Sequence, residues 1–266
     1  KNRVLIMGIL NITPDSFSDG GKYLSTSRAL DRAFAMVDHG ADIIDIGGES
    51  TRPGSDFISK DEELQRIVPV IKEIRNQDSE ILISIDTYKS DVAEIAIDLG
   101  VNIVNDISGL TFDQNMSTFL SGKDIPVIIM HINGKPKTMQ SNPIYDDLIN
   151  DINSFFKKQI IFAQSNGIDR DNIILDPGIG FGKTFNHNLT IINNLKDLCS
   201  LGHPIMVGTS RKAFIGDILD APHSERVEGT IASVVASVIN GANIVRVHDV
   251  KEIKKAIMVT EKILAS

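Results

Sequence analysis

The 266 residues weigh 29.1 kDa, a size for one large domain or two small ones, and a chain 42% hydrophobic and 23% charged can bury a core. A net charge of −8 argues against a broad nucleic-acid footprint, so an anionic ligand has to be met by a local cluster of bases. With Cys199 as its one cysteine the chain can form neither an internal disulfide nor a cysteine-based zinc site, and no run reaches the ~18 uninterrupted apolar residues of a membrane helix.

In chain order, short β-branched apolar runs fall at 4–10, 43–46, 81–85, 103–104, 127–130, 173–175, 205–207 and 244–247. Each is too short for a helix and almost free of polar alternation, as a strand buried on both faces should be. Between them, 27–39, 62–75, 91–99, 146–164, 189–201, 226–239 and 251–264 carry apolar residues at spacings of three and four. Leu64, Ile67, Val68, Ile71 and Ile74 form one such stripe. Gly40, Gly100, Gly167, Gly202 and Gly241 stand just past helices, where a left-handed cap is needed. Eight strand–helix units of about 33 residues each match the roughly 250 residues of a (β/α)8 barrel. A doubly wound open sheet is the rival, but it has no need of eight strands. The predicted fold is therefore a single-domain (β/α)8 TIM barrel spanning 1–266. No charged-then-apolar leader precedes the first strand, so no signal peptide is expected, although a chain starting at Lys1 leaves a trimmed upstream segment open. The expected compartment is the cytoplasm.

Polar residues collect at the ends of these strands: Asn11, Asp45 with Glu49, Asp86, Asn105 with Asp106, His131, Asp176, Ser210-Arg211-Lys212, then Arg246 and His248. One strand-end Asp often does no more than cap the next helix. Every unit placing a polar group on the face where barrel enzymes keep their chemistry points to an active site. Asp86 and Asp176 end apolar runs and need N–H partners, while Asn105 can both donate and accept. With a lysine, that trio matches the edge of a flat heterocycle bearing adjacent N–H groups and a carbonyl. Arg52, Lys183, Arg211, Lys212 and Arg246 on the loops suit an anionic or phosphorylated ligand, although Lys183 reads equally well as a solvated surface charge. Other motifs fail. Pro177 stands where a phosphate loop needs glycine, and Lys183 breaks a dinucleotide fingerprint. There is no nucleophile elbow and no HExxH; Cys199 reads as packing, and His39, His187, His203 and His223 as structural or solvated.

The run MGILNITPDSFSDGG over 7–21 and the run DIGGESTRPG over 45–54 are long and specific. Together with SIDT at 84–87, NDISG at 105–109, DPGIGFGK at 176–183, TSRK at 209–212 and RVH at 246–248, they resemble the dihydropteroate synthases, a pterin-binding family of folate biosynthesis. The resemblance runs from Ile6 to Val250. It implies a Mg²⁺-dependent transferase that condenses 6-hydroxymethyl-7,8-dihydropterin pyrophosphate with p-aminobenzoate, giving 7,8-dihydropteroate and pyrophosphate. By similarity, Asp86, Asn105, Asp176 and Lys212 hold the pterin edge, while Ile107, Met130 and Phe181 line its faces. Thr51, Arg52, Arg246 and His248 form the pyrophosphate side, with Asp45 supporting that corner and Asn11 toward the metal, and Val247 counts among the substrate-binding residues. Asp86, Asp176, Lys212 and Arg52 carry the catalysis. Phe17, Pro53, Phe181 and Ala213 border the p-aminobenzoate site, which a sulfonamide can also occupy. Ala213 is a departure, since serine is frequent there in the family. The loops over 13–25 and 49–59, rich in Gly, Ser, Asp and Pro, are expected to order over the bound pterin. A homodimer is implied too, and the helix over 231–238 is apolar and small nearly all round. The rival functions are a pterin-binding paralogue without turnover and a methyltransferase from a folate to a corrinoid protein.

Overall fold

Eight short runs of Ile, Val, Leu and Met pair in parallel as β1 (Leu5–Asn11), β2 (Ile43–Gly47), β3 (Leu82–Asp86), β4 (Ile103–Asp106), β5 (Val127–Met130), β6 (Ile173–Asp176), β7 (Met206–Val207) and β8 (Ile244–Val247). The computed structural model describes residues 3–13, 22–51 and 54–266, apart from the side chains of 22–25. Strand order is β6-β5-β4-β3-β2-β1-β8-β7. The remaining seam, β6 to β7, is closed by a parallel bridge from Leu175 to Ile205 and by Leu175 N–H donating to Pro204 O at 2.9 Å. The (β/α)8 barrel expected from the repeat is thus the observed fold.

The helices of the outer layer are α1 (Lys22–Asp38), α2 (Lys60–Gln77), α3 (Ser90–Asp98), α4 (Asn115–Leu120), α5 (Leu148–Ser165), α6 (Phe185–Asn193), α7 (Leu195–Cys199), α8 (Ala213–Leu219), α9 (Val227–Ile239) and α10 (Val250–Ala265). Their apolar stripes pack against the outward side chains of the strands in one large core, which includes Ile44, Ile83, Val104, Val245 and Val247. The inward side chains Met7, Ile43, Ile103, Ile128, Ile174, Met206 and Ile244 fill the barrel itself. This two-residue alternation decides which strand-end residue reaches the mouth. All five glycines expected as helix caps have positive φ, from +75° at Gly202 to +109° at Gly241.

Three local differences from the expected elements have physical causes. The helix over 189–201 is two helices, α6 and α7, meeting at Asn194, which serves as C-cap of one and N-cap of the other. Helices α4 and α8 were not expected, because six or seven residues are too few to establish a period of 3.6. Helix α1 starts at Lys22, within the stretch read as loop.

Candidate active site

The C-terminal mouth of the barrel holds a cavity of about 670 Å³, and most residues expected at the site line it. From the strand ends come Asn11, Asp86, Asn105, Met130, Asp176 and Arg246; from the loops beyond come Thr51, Ile107, Phe181, Lys212 and His248, and from the start of α8 comes Ala213. Phe17, Arg52 and Pro53 lie outside the described residues.

A buried ionic triad organises one side. Arg246 Nε donates to Asp45 Oδ2 at 2.6 Å and its Nη2 donates to Asp86 Oδ2 at 2.7 Å. Asn105 Nδ2 donates to the same Asp45 oxygen at 3.2 Å, which fixes the orientation of the amide. Three buried acceptors, Asp45 Oδ1, Asp86 Oδ1 and Asn105 Oδ1, then have no hydrogen-bond donor. An orphaned buried acceptor costs about 1–3 kcal/mol; Asp45 lies beneath the cavity, but Asp86 and Asn105 line it, so their two acceptors describe a place built for a ligand bearing N–H groups. Burial pushes the Asp86 carboxyl up to about 7 against the pull of Arg246. Burial works against charge on Arg246 as well, but Asp45 and Asp86 outweigh it and hold that guanidinium above its ordinary value.

The opposite side is the DPGIGFGK loop. Asp176 Oδ1 accepts Gly178 N–H at 2.7 Å, and burial raises the Asp176 carboxyl. Gly178 has φ +66°, and a Cβ there would sit 2.0 Å from His131 O, so no other residue fits. The loop presents Phe181 with the Lys212 ammonium 4.3 Å from its ring centre, a cation–π contact. Burial and the charge of Arg246 push the Lys212 amine down to about 8, with Asp176 and Asp86 pulling it back. On the third side Ser210 Oγ and His248 Nδ1 lie 2.9 Å apart, and burial and Arg246 push the His248 ring down to about 3, leaving it neutral.

Some expected ring members face elsewhere. Val247 is fully buried in the core between sheet and helices, because alternation sends Arg246 inward and its neighbour outward; its side chain does not line the cavity. Glu49 turns outward to Lys89 and Tyr88, and Asp106 accepts Ser108 N–H, Ser108 Oγ–H and Leu110 N–H in a tight turn. His131 lies outside the lining and touches Lys183, which is 3% exposed rather than a surface charge. Arg211 lines the cavity with its guanidinium forked onto Asp249. Met139 and Gln140, from the β5 loop, line the cavity without having been anticipated; no motif marks them.

A polar, base-rimmed pocket at the mouth of a parallel barrel is where an enzyme of this fold keeps its small-molecule site. The family model described as pterin binding enzyme matches residues 7–248, and the chain belongs to that family. It is 48% identical over 255 residues to the dihydropteroate synthase of Bacillus subtilis, covering 96% of this chain and 87% of that one. The dihydropteroate synthase of Synechocystis is 50% identical over 250 residues, covering 94% and 86%. Among solved structures, the Clostridium difficile dihydropteroate synthase in the presence of pteroic acid superposes with TM-score 0.93 at 48% identity, covering 99% and 98%. The Xanthomonas albilineans enzyme in complex with 7,8-dihydropteroate gives TM-score 0.90 at 33% identity, covering 100% and 95%. Within the pterin-binding enzymes the chain falls among the dihydropteroate synthases, which are transferases.

Proposed function

We propose that the chain condenses 6-hydroxymethyl-7,8-dihydropterin pyrophosphate with p-aminobenzoate to 7,8-dihydropteroate and pyrophosphate, with Mg²⁺, in the cytoplasm and as a homodimer. The orphaned acceptors around Asp86 and Asn105 carry this reading, because a pterin edge brings the N–H groups they need. Asp86, Asn105, Asp176 and Lys212 hold that edge, with Ile107, Met130 and Phe181 against its faces. Thr51, Arg52, Arg246 and His248 hold the pyrophosphate. Phe17, Pro53, Phe181 and Ala213 border the aniline.

An aniline amine is already a neutral nucleophile at pH 7, so the reaction needs no activated Ser or Cys. The demand falls on the leaving group, whose growing charge cationic side chains stabilise. As the bond to pyrophosphate lengthens, the methylene left behind becomes electron-poor, and the carboxylates of Asp86 and Asp176 offset its charge. The substitution is dissociative, SN1-like. A rate of the chemical step that tracked aniline basicity closely would contradict it.

Asn11 fits a Mg²⁺ that arrives with the diphosphate. Its Oδ1 and Asp86 Oδ2 border the same space before Gly47, at 3.5 and 3.7 Å from where a Cβ would lie. Among the described residues no three His, Cys, Asp or Glu side chains are grouped to hold an ion unaided. Mg²⁺ characteristically takes phosphate oxygens and water with only one or two protein oxygens. Bound there, it would supply charge to stabilise the departing pyrophosphate.

Exposed apolar side chains on three neighbouring helices support the homodimer: Ile218 and Leu219 on α8, Ile239 on α9, and Met258, Val259 and Ile263 on α10. Sedimentation equilibrium tests it, and a monomer at micromolar concentration would end it. No helix among the described residues is long and apolar enough to cross a membrane.

The deciding experiment follows pyrophosphate release from the pterin pyrophosphate with Mg²⁺, with and without p-aminobenzoate, while dihydropteroate is quantified. Release that depends on the aniline and matches dihydropteroate is expected. Tight pterin binding with no product would instead support the paralogue without turnover.

A further inference from the structure

Lys183 is 3% exposed, and its ammonium is enclosed by protein acceptors. Nζ lies 2.9 Å from His131 Nδ1 and donates to Phe181 O at 2.9 Å and His131 O at 3.2 Å. As an ammonium it has three donors, and here three acceptors meet them, so none is left for an anion; burial pushes its pKa down to about 7 against the pull of Asp176. His131 can accept at Nδ1 only as the neutral ring with its proton on Nε2, and the edge of Phe155, centroid to centroid 4.9 Å, braces that ring. Burial and Lys183 push the His131 pKa down to about 2, in keeping with that form.

Further contacts press the same loop against the β5 segment. Gln140 Nε2 donates to Gly180 O and Tyr145 Oη to Gly182 O, each at 2.8 Å; from α6, on the loop's other side, Asn188 Oδ1 accepts Gly180 N–H at 2.7 Å. A Cβ on Gly182 would lie 2.4 Å from Asn133 O. Phe181 stands in the middle of this stapled stretch. Its ring has no polar handle, so its place over Lys212 is set through its backbone, and the bond to the Phe181 carbonyl comes from Lys183.

We infer that Lys183 is a positioning residue: by clamping the Phe181 carbonyl to the end of β5 it sets the ring against which the aryl amine packs. This rests on the reading of the site as a dihydropteroate synthase. Phe181 also lies against a pterin face and Asp176 opens the same loop, but Asp86 and Asn105, on other strands, still hold the pterin edge, so the clamp acts on the second substrate more than on the pterin.

The test is steady-state kinetics of wild type, Lys183→Met, Phe181→Leu and the double variant, varying p-aminobenzoate and pterin pyrophosphate separately. Lys183→Met is expected to raise KM for p-aminobenzoate roughly tenfold while KM for the pterin pyrophosphate moves less than about twofold. In the Phe181→Leu background the same change should add less than about twofold, since its target is already gone. An unchanged KM for p-aminobenzoate overturns the inference, and so do penalties that multiply. Should Lys183→Met not fold, Tyr145→Phe, which removes one staple from Gly182, decides: a rise of about threefold in the same KM is expected, and no rise overturns it. A wild type that makes no dihydropteroate would sink the functional reading, and this inference with it. An active wild type with insensitive variants sinks only the inference.

Discussion

Arg246 and Lys89 each lie between two buried carboxylates, in quite different surroundings. Arg246 bridges Asp45 and Asp86 at the cavity, and the group leaves Asp45 Oδ1, Asp86 Oδ1 and Asn105 Oδ1 without donors. Lys89 bridges Glu49 and Glu63 at 2.5 and 2.6 Å between the β2 and β3 loops, where Tyr88 Oη also donates to Glu49 and only Glu63 Oε1 is orphaned. One group is a socket whose spare acceptors await a ligand. The other is a strut holding the root of the loop that carries Thr51. Buried ion pairs look alike in a sequence and in a list of contacts; the count of spare acceptors facing a cavity separates them.

Four experiments probe that contrast. Asp86→Ala should cut kcat/KM by roughly 10²–10³-fold, because a charged acceptor is lost and Arg246 is loosened, while the melting temperature stays near wild type. A large fall in melting temperature with kcat/KM retained would make the mouth group a strut as well. Lys89→Met should do the reverse, lowering urea-unfolding stability on the order of 3 kcal/mol by stranding Glu49 and Glu63, with turnover per folded molecule little changed. The third is the pH profile. Asp86 is raised to about 7 and is neutral below that, so it becomes a charged, stronger acceptor for the ligand only as pH rises through 7; Lys212, lowered to about 8, loses its charge above that. The expected kcat/KM is a bell with limbs near those values, and Asp86→Asn should remove the acid limb alone. A flat profile from pH 6 to 9 would contradict both roles. The smallest effect belongs to Ala213→Ser, where a hydroxyl gained at an exposed position of the cavity rim should lower KM for p-aminobenzoate about threefold.

The barrel was legible because burial on both faces leaves each strand an uninterrupted apolar run, and because left-handed caps select glycine. The ring of polar strand ends was legible for the same reason: Asp86 and Asp176 interrupt runs that have no other cause to stop. Direction was harder to read. Asn105 and Asp106 are adjacent and cannot both face inward, and neither can Arg246 and Val247; the period of two was the available signal. It had no hold on Glu49, which lies past the end of β2, where alternation lapses. Lys183 was left between a ligand-facing base and a surface charge because nothing local reveals a buried amine whose partners are backbone carbonyls and a histidine 52 residues away. The glycines at 178, 180 and 182 did announce a close approach of two chains, with the lysine next to it.

The seam between β6 and β7 has a consequence for motion. β7 is two residues long and meets β6 through one bridge, whereas β1 and β2 pair over five residues. Opening needs the fewest broken hydrogen bonds there, so amides near Ile205 should exchange with solvent through local fluctuations well before those of β1 and β2. The two lips of that unzipping point carry Asp176 and, beyond β7, Lys212. A breath at the weakest stitch of the barrel thus moves a carboxylate and an ammonium apart at the mouth, and a ligand spanning them would act as the missing stitch.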